Sequence, residues 1–360
     1  MANKLRIGII GCGGIANQKH MPSLARLTDQ VELVAFCDIV EDRAREAAAK
    51  YGTADASVYT NYRDLLSDSS IDIVHVLTPN RSHSEISVAA LEAGKHVMCE
   101  KPMAKTAADA RAMVAAAERT GKKLCIGYQN RYRADSLLLK KAVDRGELGE
   151  IYYAKAHAVR RRAVPTWGVF LNAEEQGGGP LIDIGTHALD LTLWTMGNYE
   201  PKMVVGTTFR KLAEQTETGN AWGDWDPSIF TVEDAAFGYI TMKNGALILL
   251  ESSWALNTLD VKEAKTTLCG TLGGADMEDG LRINKAWMGA LTTVKPSQGK
   301  GVDFYDASNL SPAEREAAMW IDAVRNDKDV FVQPRQALVV TEILEAIYES
   351  ARTGKPVYFE

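Results

Sequence analysis

Apolar runs about one strand long alternate with helically spaced segments over the first third of the chain. Strands are predicted at 4–10, 31–37, 71–77, 96–99 and 123–127. Apolar residues recur at helical spacing over 43–51, 81–93 and 107–120, with Gly94 and Gly121 placed as C-terminal caps. Strands that alternate with helices in this way form a parallel sheet covered on both faces. The pattern predicts a doubly wound α/β domain.

The pattern changes after residue 127. A helix is predicted over 134–145, and strands follow at 151–159, 202–209, 235–242 and 246–253. Lys243-Asn244-Gly245 is a short turn of the kind that joins antiparallel strands. Two helices, 312–325 and 334–352, are predicted near the end. We expect one domain over 1–128 and a second, α+β domain over 129–360 with an open, mostly antiparallel sheet, whose terminal helices can pack back on the first.

Length and charge favour a protein of about two domains and argue against nucleic-acid or membrane binding. The chain has 360 residues, of which 46% are hydrophobic, and a formal net charge of −6. This is enough for about two hydrophobic cores. The acidic balance provides no basic surface, so neither nucleic acid nor a membrane is expected as a partner. The apolar runs are of strand length and the first strand follows the start directly, which predicts a cytoplasmic location.

The cysteines lie singly along the chain, without the spacing of a metal site or a C-x-x-C pair. They are Cys12, Cys37, Cys99, Cys125 and Cys269. Four of them lie in or beside predicted buried strands, where cysteine behaves as a small apolar residue. We therefore interpret them as core residues.

A glycine-rich turn follows the first predicted strand. The segment expected to bind phosphate comprises Gly11, Gly13, Gly14, Ile15 and Ala16, in the order G-x-G-x-x-A. The first glycine can make a tight turn, the second lets the backbone approach a pyrophosphate, and the alanine allows close packing of helix on sheet. The pattern also occurs in ordinary strand-to-helix turns. By itself it leaves dinucleotide binding open.

Asp38 ends the second predicted strand, about 20 residues beyond the glycines, where this fingerprint places an acid that binds an adenosine ribose. A carboxylate there favours NAD, because the 2′-phosphate of NADP would face a like charge. Arg43 follows one helical turn later and can instead reach a 2′-phosphate, although a solvated helix charge is the simpler interpretation. We expect NAD, with NADP as the alternative.

Glu100-Lys101-Pro102 follows the strand at 96–99, at the edge where doubly wound sheets bind ligands. A lysine beside a cationic nicotinamide ring can share the proton of a substrate hydroxyl. The proline can form a cis peptide bond that would aim the ammonium. The alternative is that Glu100 and Lys101 form a solvated ion pair.

Asp183 and His187 lie four residues apart on a helix predicted after the glycines at 177–179, which we interpret as a flexible loop. The spacing puts both side chains on one face. An imidazole is the side chain best suited to accept a proton near pH 7, and a carboxylate can orient it. The alternatives are a structural helix pair and half of a metal site. No third ligand has suitable spacing, so no metal is expected.

Together these segments resemble the Gfo/Idh/MocA family, named for glucose-fructose oxidoreductase, inositol dehydrogenase and a rhizopine catabolism protein. A fourth matching segment runs from Thr78 to His83, and the resemblance covers nearly the whole chain. It implies an N-terminal Rossmann domain that binds NAD(H) or NADP(H), and a C-terminal open-faced sheet that contacts substrate and other subunits. A homodimer or homotetramer is therefore expected.

The resemblance also implies roles for individual residues. The cofactor would be lined by Thr78, Pro79, Asn80, His83, Glu100 and Lys101. The catalytic group would be Lys101, Asp183 and His187, with His187 accepting the hydroxyl proton. The segment 127–132 resembles the family's link between domains, so that Gln129 or Asn130 would touch the cofactor and Arg131 the substrate.

Tryptophans in loop-like surroundings suggest a carbohydrate substrate, because indoles stack on sugar rings. Trp167, Trp222 and Trp225 occur with Asn220, Asp224 and Asp226 nearby. Packing of these tryptophans at a domain or subunit interface is the alternative. Arg161, with Arg160 and Arg162, can hold an acidic sugar or a phosphate, but alternate strand residues face opposite ways, so at most two can converge. A solvated or interface cluster is the other interpretation.

The sequence thus predicts an NAD(P)-dependent enzyme that oxidises or reduces a secondary alcohol of a sugar, sugar derivative or cyclic polyol. One alternative is a glycoside hydrolase that retains its NAD and oxidises C3 transiently before elimination. Another is a regulator that senses NAD without chemistry. The presence of Lys101, Asp183 and His187 argues against the regulator.

Overall fold

The computed structural model describes residues 4–296 and 310–360. The chain forms two compact units. The first unit contains the chain up to Gln129 together with Leu310–Thr341. The second unit begins at Asn130 and includes Glu342–Glu360. The helix Pro312–Arg325 therefore belongs to the unit that also contains the glycine-rich turn.

The first unit is built on a sheet of six parallel strands. They are β1 (Leu5–Ile10), β2 (Val31–Cys37), β3 (Ser57–Tyr59), β4 (Ile73–Val76), β5 (His96–Cys99) and β6 (Leu124–Ile126). Their spatial order, β3-β2-β1-β4-β5-β6, is that of a Rossmann sheet and confirms the predicted fold. The order reverses between β1 and β4, so their carboxyl ends border the crevice where such sheets bind ligands.

Helices connect these strands. They are α1 (Met21–Leu24), which follows a π-helical turn at Ala16–His20, then α2 (Glu41–Tyr51), α3 (Tyr62–Ser67), α4 (His83–Glu92) and α5 (Ala107–Thr120). Gly121 has a positive φ of 65° at the end of α5, as the capping pattern predicts. Ile7 and Ile9 of β1 are fully buried, which fits a central strand covered on both faces.

The second unit is built on a nine-stranded sheet. Its strands are β7 (Ile151–Val159), β8 (Pro201–Phe209), β9 (Ala235–Met242), β10 (Leu247–Ser253), β11 (Lys262–Gly270), β12 (Gly274–Asp276), β13 (Arg282–Trp287), β14 (Ala290–Val294) and β15 (Val357–Tyr358). Their order is β14-β13-β12-β11-β7-β10-β9-β8-β15, and all pairs except β7 with β10 are antiparallel. The predicted open, mostly antiparallel sheet is confirmed.

The remaining helices are α6 (Ala134–Asp144), α7 (Ala173–Gln176), α8 (Thr186–Met196), α9 (Pro312–Arg325) and α10 (Pro334–Thr353). Helix α8 packs against β7 and β11, so one face of the second sheet is covered. A cross-strand row on the buried face consists of Val204, Ile240, Ile248, Ala154 and Leu268, all fully buried. On the other face, the paired Val205 and Tyr239 are exposed.

Three general features bear on function. All five cysteines are free thiols, and Cys269 is the one that is not fully buried. Within the described residues, no helix has the length and apolarity needed to span a bilayer. Over the same part of the chain, no three His, Cys, Asp or Glu side chains are grouped so as to hold a metal ion.

Candidate active site

The glycine-rich turn has the geometry that the sequence predicts. Gly11 has a φ of 91°, and a Cβ there would lie 2.6 Å from the carbonyl oxygen of Leu77, so this position requires glycine. A Cβ on Gly13 would meet no atom within 4 Å, which leaves space for a ligand to approach the backbone. Ala16 is fully buried where the helix packs on the sheet. These features fit a bound dinucleotide phosphate.

Asp38 supports this turn directly. One carboxylate oxygen accepts the backbone N–H of Cys12 and the other that of Val40, both at 2.9 Å. The carboxylate therefore fixes the glycine turn to the end of β2, a role that the sequence did not reveal. Arg43 is exposed on α2. The contact of either side chain with the ribose of a cofactor stays a prediction.

The other predicted cofactor residues divide by exposure. Gly14, Ile15 and Pro79 are exposed, and Thr78, Lys101 and Gln129 are half-buried. Asn80, His83 and Glu100 are buried. The accessible group lies in the turn after β1 and in the loops after β4, β5 and β6, at the carboxyl edge of the sheet. This edge fits the predicted nicotinamide cofactor.

His83 supports two of these loops from within. Its ring nitrogens lie 2.8 Å from the carbonyl oxygens of Thr78 and Pro102, which follow β4 and β5. Burial lowers the pKa of the imidazole, and the two carbonyls oppose that shift. The peptide bond between Lys101 and Pro102 is cis. The predicted contact of His83 with the cofactor is corrected here, because a buried ring held by two carbonyls joins the loops instead.

Glu100 is the centre of a buried cluster of charged side chains. One oxygen lies 2.7 Å from Nζ of Lys19 and 2.8 Å from Nε2 of His20. The other accepts the backbone N–H of Lys101 at 3.0 Å. Lys19 also lies 2.7 Å from a carboxylate oxygen of Glu316 on α9. The cluster therefore joins the helix after the glycine turn, the end of β5 and α9.

The charges in this cluster stabilise one another. Burial alone would raise the pKa of Glu100, but the charge of Lys19 and the hydrogen bond from His20 hold it well below its usual value. Burial likewise opposes the charge on Lys19, and the two glutamates raise the pKa of its ammonium. The interpretation of Glu100 as part of a solvated pair is wrong, because its side chain is buried. Both of its oxygens are engaged within the protein, and its predicted contact with the cofactor stays a prediction.

The glycines at 177–179 form a close-packed start to a helix, and the predicted flexible loop is wrong. A Cβ on Gly178 would lie 2.0 Å from the hydroxyl of Tyr348, and one on Gly179 would lie 2.2 Å from the carbonyl oxygen of Glu233. The Glu233 carboxylate accepts the N–H groups of Gly179 at 2.9 Å and Leu181 at 3.1 Å. It also accepts the Tyr348 hydroxyl at 2.8 Å. These contacts fix the start of the element that carries Asp183 and His187.

Asp183 lies in a π-helical turn, Leu181–Gly185, that leads directly into α8, where His187 is the second residue. Of residues 181–195, these two alone are not buried. The indole N–H of Trp254, itself fully buried, donates a hydrogen bond of 3.0 Å to Oδ2 of Asp183. The helix therefore presents one carboxylate and one imidazole on an otherwise enclosed segment, a pairing that can position and deprotonate a hydroxyl.

Arg131 does not occupy the position that the resemblance implied. Its side chain has no exposed surface, and its Nε donates to Oδ2 of Asp190 on α8 at 2.9 Å. The guanidinium also donates to the Tyr199 hydroxyl at 3.2 Å. The predicted contact with substrate is corrected, because this buried pair anchors α8 and leaves no donor of Arg131 at the surface.

The predicted carbohydrate-binding residues separate into two groups. Trp225 is buried and donates to the carbonyl oxygen of Ala213, so it is a core residue and its predicted stacking role is corrected. Trp167 and Trp222 are exposed, with ring centroids 4.9 Å apart. The polar neighbours mainly organise the loop: Asn220 bonds Val164, Asp224 accepts from Thr218, and Asp226 accepts from Ser228.

The three arginines do not converge on one point. Arg160 pairs with Glu263, and Arg162 donates to Asn257 and to the carbonyl oxygen of Arg161. Arg161 itself is exposed. The structure thus gives no shared anion site from this run, and a contact of Arg161 with an acidic substrate stays a prediction.

Sequence reasoning missed Lys19, Glu233 and Trp254. Lys19 follows Ala16 by three residues and so shares its buried face, a local signal that could have marked it. Glu233 and Trp254 contact the segment that carries Asp183 and His187 from positions more than fifty residues further along the chain, and no local pattern indicates them.

Comparisons with known proteins agree with this geometry. A family model described as an oxidoreductase family with an NAD-binding Rossmann fold matches residues 5–128, and its C-terminal alpha/beta domain matches 140–359. The chain is 38% identical over 356 residues to a D-glucoside 3-dehydrogenase of Escherichia coli, covering 99% of this chain and 98% of that protein. It is 38% identical over 164 residues to an inositol 2-dehydrogenase of Salmonella typhimurium, covering 45% and 48%.

The fold is also similar to a solved structure of an aldose-aldose oxidoreductase from Caulobacter crescentus complexed with glycerol. The TM-score is 0.81 at 25% identity, covering 99% of this chain and 100% of that one.

Proposed function

Since the chain belongs to the Gfo/Idh/MocA oxidoreductase family, we propose that it transfers a hydride between a nicotinamide cofactor and a secondary alcohol of a sugar, sugar derivative or cyclic polyol. The observation that carries this proposal is the exposure pattern of residues 181–195, where Asp183 and His187 alone are not buried. The name of the relative from Escherichia coli supports a glycosidic sugar oxidised at C3.

The proposed mechanism follows from where the proton must go. A nicotinamide cofactor, when bound, would supply the hydride acceptor. Loss of a hydride from the carbinol carbon would leave a protonated carbonyl, so the hydroxyl proton must leave as the hydride does. His187 accepts that proton. Lys101 donates a hydrogen bond to the same oxygen and stabilises its developing negative charge.

Asp183 has a positioning role in this mechanism. Its Oδ2 is held by Trp254, so the carboxylate has a defined orientation from which to bind a neighbouring hydroxyl or to orient His187. The Glu233 carboxylate and the Arg131–Asp190 pair fix the two ends of the segment that carries both side chains. The protein thereby holds its acid–base groups in place before substrate binds.

We propose NAD as the cofactor in preference to NADP. Asp38 is held by two backbone N–H groups at the end of β2, so its negative charge is fixed where the fingerprint places the ribose. A 2′-phosphate at that point would face a carboxylate that is unable to turn away.

The test combines two readouts on one set of reactions. The purified protein is incubated with NAD or NADP and a panel of inositols, hexoses, sugar acids and aryl glycosides. Net NADH formation is followed by absorbance while aglycone release is followed in parallel. Net NADH with a free sugar, a glycoside or a polyol supports the dehydrogenase. Aglycone release without net NADH would assign the hydrolase instead, and cofactor binding without either product would assign the regulator.

We also propose a homodimer or homotetramer in the cytoplasm. The exposed Val205 and Tyr239 form part of the uncovered face of the second sheet, and apolar faces of this kind are commonly covered by another subunit. Light scattering at micromolar concentration measures the molar mass directly. A monomer would refute the oligomer.

A further inference from the structure

Two tryptophans of the second unit are exposed side by side. Trp167 keeps 51% of its surface accessible and Trp222 keeps 44%, and their rings meet edge to face at a centroid distance of 4.9 Å. A single exposed aromatic side chain needs no explanation, but two in contact form an apolar surface of the kind that ligands cover.

The indole pair is held in place by the loops that carry it. The side-chain amide of Asn220 and the backbone of Val164 exchange two hydrogen bonds, of 2.8 and 3.0 Å. Thr166 donates its hydroxyl to the carbonyl oxygen of Trp222 at 2.8 Å. The segments that carry Trp167 and Trp222 are therefore cross-linked, and the aromatic surface is formed before any ligand binds.

A continuous row of aromatic rings connects this surface to Asp183. Trp167 lies 6.0 Å from Phe170, and Phe170 lies 6.3 Å from Trp254, measured between ring centroids. Trp254 donates its N–H to Asp183. The exposed pair is thus the outer end of a row whose inner end holds the carboxylate that we assign to the sugar.

Arg160 links the same two points by a second route. Its guanidinium lies 5.3 Å from the centre of the Trp222 ring. Burial opposes its charge, and the hydrogen bond and charge of Glu263, with the charge of Asp183, raise the pKa of the guanidinium. Arg160 thus interacts electrostatically with both Trp222 and Asp183.

The pairing of Arg160 limits what this side chain offers to a ligand. Both carboxylate oxygens of Glu263 accept hydrogen bonds from its guanidinium. Because its positive charge is already matched by Glu263, Arg160 itself has no excess charge with which to attract a phosphate or a uronate. What this surface offers is a pair of indole rings, which suits a flat, neutral, apolar group.

From these contacts we propose that Trp167 and Trp222 form a subsite for the aglycone of a neutral glycoside, with a preference for an aromatic or similarly flat group. This inference rests on the proposed function, because it places the sugar ring at Asp183 and His187. It specifies the substrate class as a glycoside with a flat aglycone, in which the second ring stacks outside the catalytic centre.

The test compares phenyl glucoside with methyl glucoside, which share a sugar and differ in aglycone. We expect the wild-type protein to have a KM about tenfold lower for the phenyl compound, the scale of one aromatic stacking interaction. Trp222→Ala and Trp167→Ala should each remove most of this difference while the KM for methyl glucoside changes less than about twofold. Trp287→Ala is the matched control, since Trp287 is an exposed tryptophan on β13 of the same unit.

Three outcomes would overturn the subsite. The first is an equal KM for the two glucosides in the wild type. The second is an equal rise in both KM values in the variants, which would place the indoles on the sugar ring. The third is a change in molar mass in the variants, which would place the indoles at a subunit interface. Calorimetric titration of both glucosides in the presence of NADH gives the same comparison without turnover. If no NADH forms with any sugar, the proposed function fails, and the calorimetric comparison still decides the subsite.

Discussion

The indole N–H of Trp254 donates a hydrogen bond of 3.0 Å to Oδ2 of Asp183, from a side chain with no exposed surface. A buried donor that cannot move fixes the orientation of the carboxylate it binds. The position of Asp183 is therefore set by a residue that directly follows β10, more than seventy positions further along the chain, and not by its own helix alone.

Replacing Trp254 with phenylalanine removes this donor and keeps most of the ring. We expect Trp254→Phe to lower kcat about tenfold, because one positioning hydrogen bond is lost, while the KM for NAD stays unchanged. Trp320→Phe is the control: Trp320 is also buried, but its indole N–H has no hydrogen-bond partner in the described structure. Equal effects of the two variants on kcat, at equal thermal stability, would show that Trp254 acts through packing alone.

The proposed acid–base group is tested by His187→Ala and Lys101→Ala. Each should lower kcat by about a hundredfold or more, the scale of a lost proton acceptor or oxyanion donor, with cofactor affinity largely retained. Steady-state kinetics and NADH titration measure the two quantities separately. Lys50→Ala, at an exposed position on α2, should leave both unchanged. Near-normal turnover in both active-site variants would remove them from the mechanism.

The buried Lys19 predicts a pH-dependent stability. Replacing it with methionine leaves Glu100 and Glu316 close to each other without their cation, at a cost of about 3–5 kcal/mol in the unfolding free energy of the first unit. The pKa of Glu100 is held below its usual 4.5 in the folded protein, so its stabilising contribution is present above pH 4.5 and is lost as the pH falls. The pKa of Lys19 is raised above 10.5, so its contribution is present below pH 10.5 and is lost as the pH rises further.

The difference in unfolding between wild type and Lys19→Met should therefore be largest between these two limits. The difference should become smaller as the pH falls below 4.5, because a protonated Glu100 no longer needs the cation. Thermal unfolding midpoints at about pH 7 and about pH 4 measure this. A difference that does not change with pH would show that Lys19 contributes by packing and not by charge.

Much of the fold could be predicted because its signals are local. The buried strands β1, β2, β4 and β5 carry apolar runs, and the turn after β9 carries its own asparagine and glycine. The short β3 was not predicted, since it has three half-buried residues and no apolar run. Strands β11, β13 and β14 were missed for a related reason, because most of their residues are not buried.

In the candidate site, too, the features with a local sequence signal could be predicted and those that depend on long-range contacts could not. The helical spacing of Asp183 and His187 predicts a shared face, and the exposure of residues 181–195 agrees with it. The partners that hold these residues are long-range, so the sequence did not show that Arg131 would be buried against Asp190. A sequence of three adjacent glycines does not distinguish a flexible loop from the start of a helix that is packed against Tyr348.

The carboxylate of Glu233 should act together with the glycines at 178 and 179 to fix the start of the helix that carries Asp183 and His187. Burial raises the pKa of Glu233, and its hydrogen bonds from Gly179 and Tyr348 oppose this shift. An amide accepts through one atom only, so Glu233→Gln should lose at least one of three hydrogen bonds. We expect kcat to fall about tenfold with an unchanged KM for NAD, since the helix that carries the proposed catalytic residues shifts and the first unit does not change. Tyr348→Phe, which removes one donor, should have a smaller effect in the same direction.

The control for Glu233→Gln is Glu214→Gln, an exposed glutamate of the same unit, which should behave as wild type. If Glu233→Gln changes thermal stability but leaves kcat intact, the carboxylate supports the fold without positioning the helix.

The last prediction concerns the preference for NAD or NADP. We expect this preference to depend on two side chains of opposite charge. Asp38 is buried at the end of β2 and Arg43 is exposed on α2. If the carboxylate faces the ribose, kcat/KM should be at least about tenfold higher with NAD than with NADP. Asp38→Asn keeps an acceptor for one of its two backbone N–H partners and removes the charge, so it should raise the relative activity with NADP. Arg43→Ala should lower activity with NADP and leave NAD unchanged if the guanidinium reaches a 2′-phosphate. A wild-type protein that prefers NADP, and loses that preference in Arg43→Ala, would show that the arginine and not the aspartate sets the choice of cofactor.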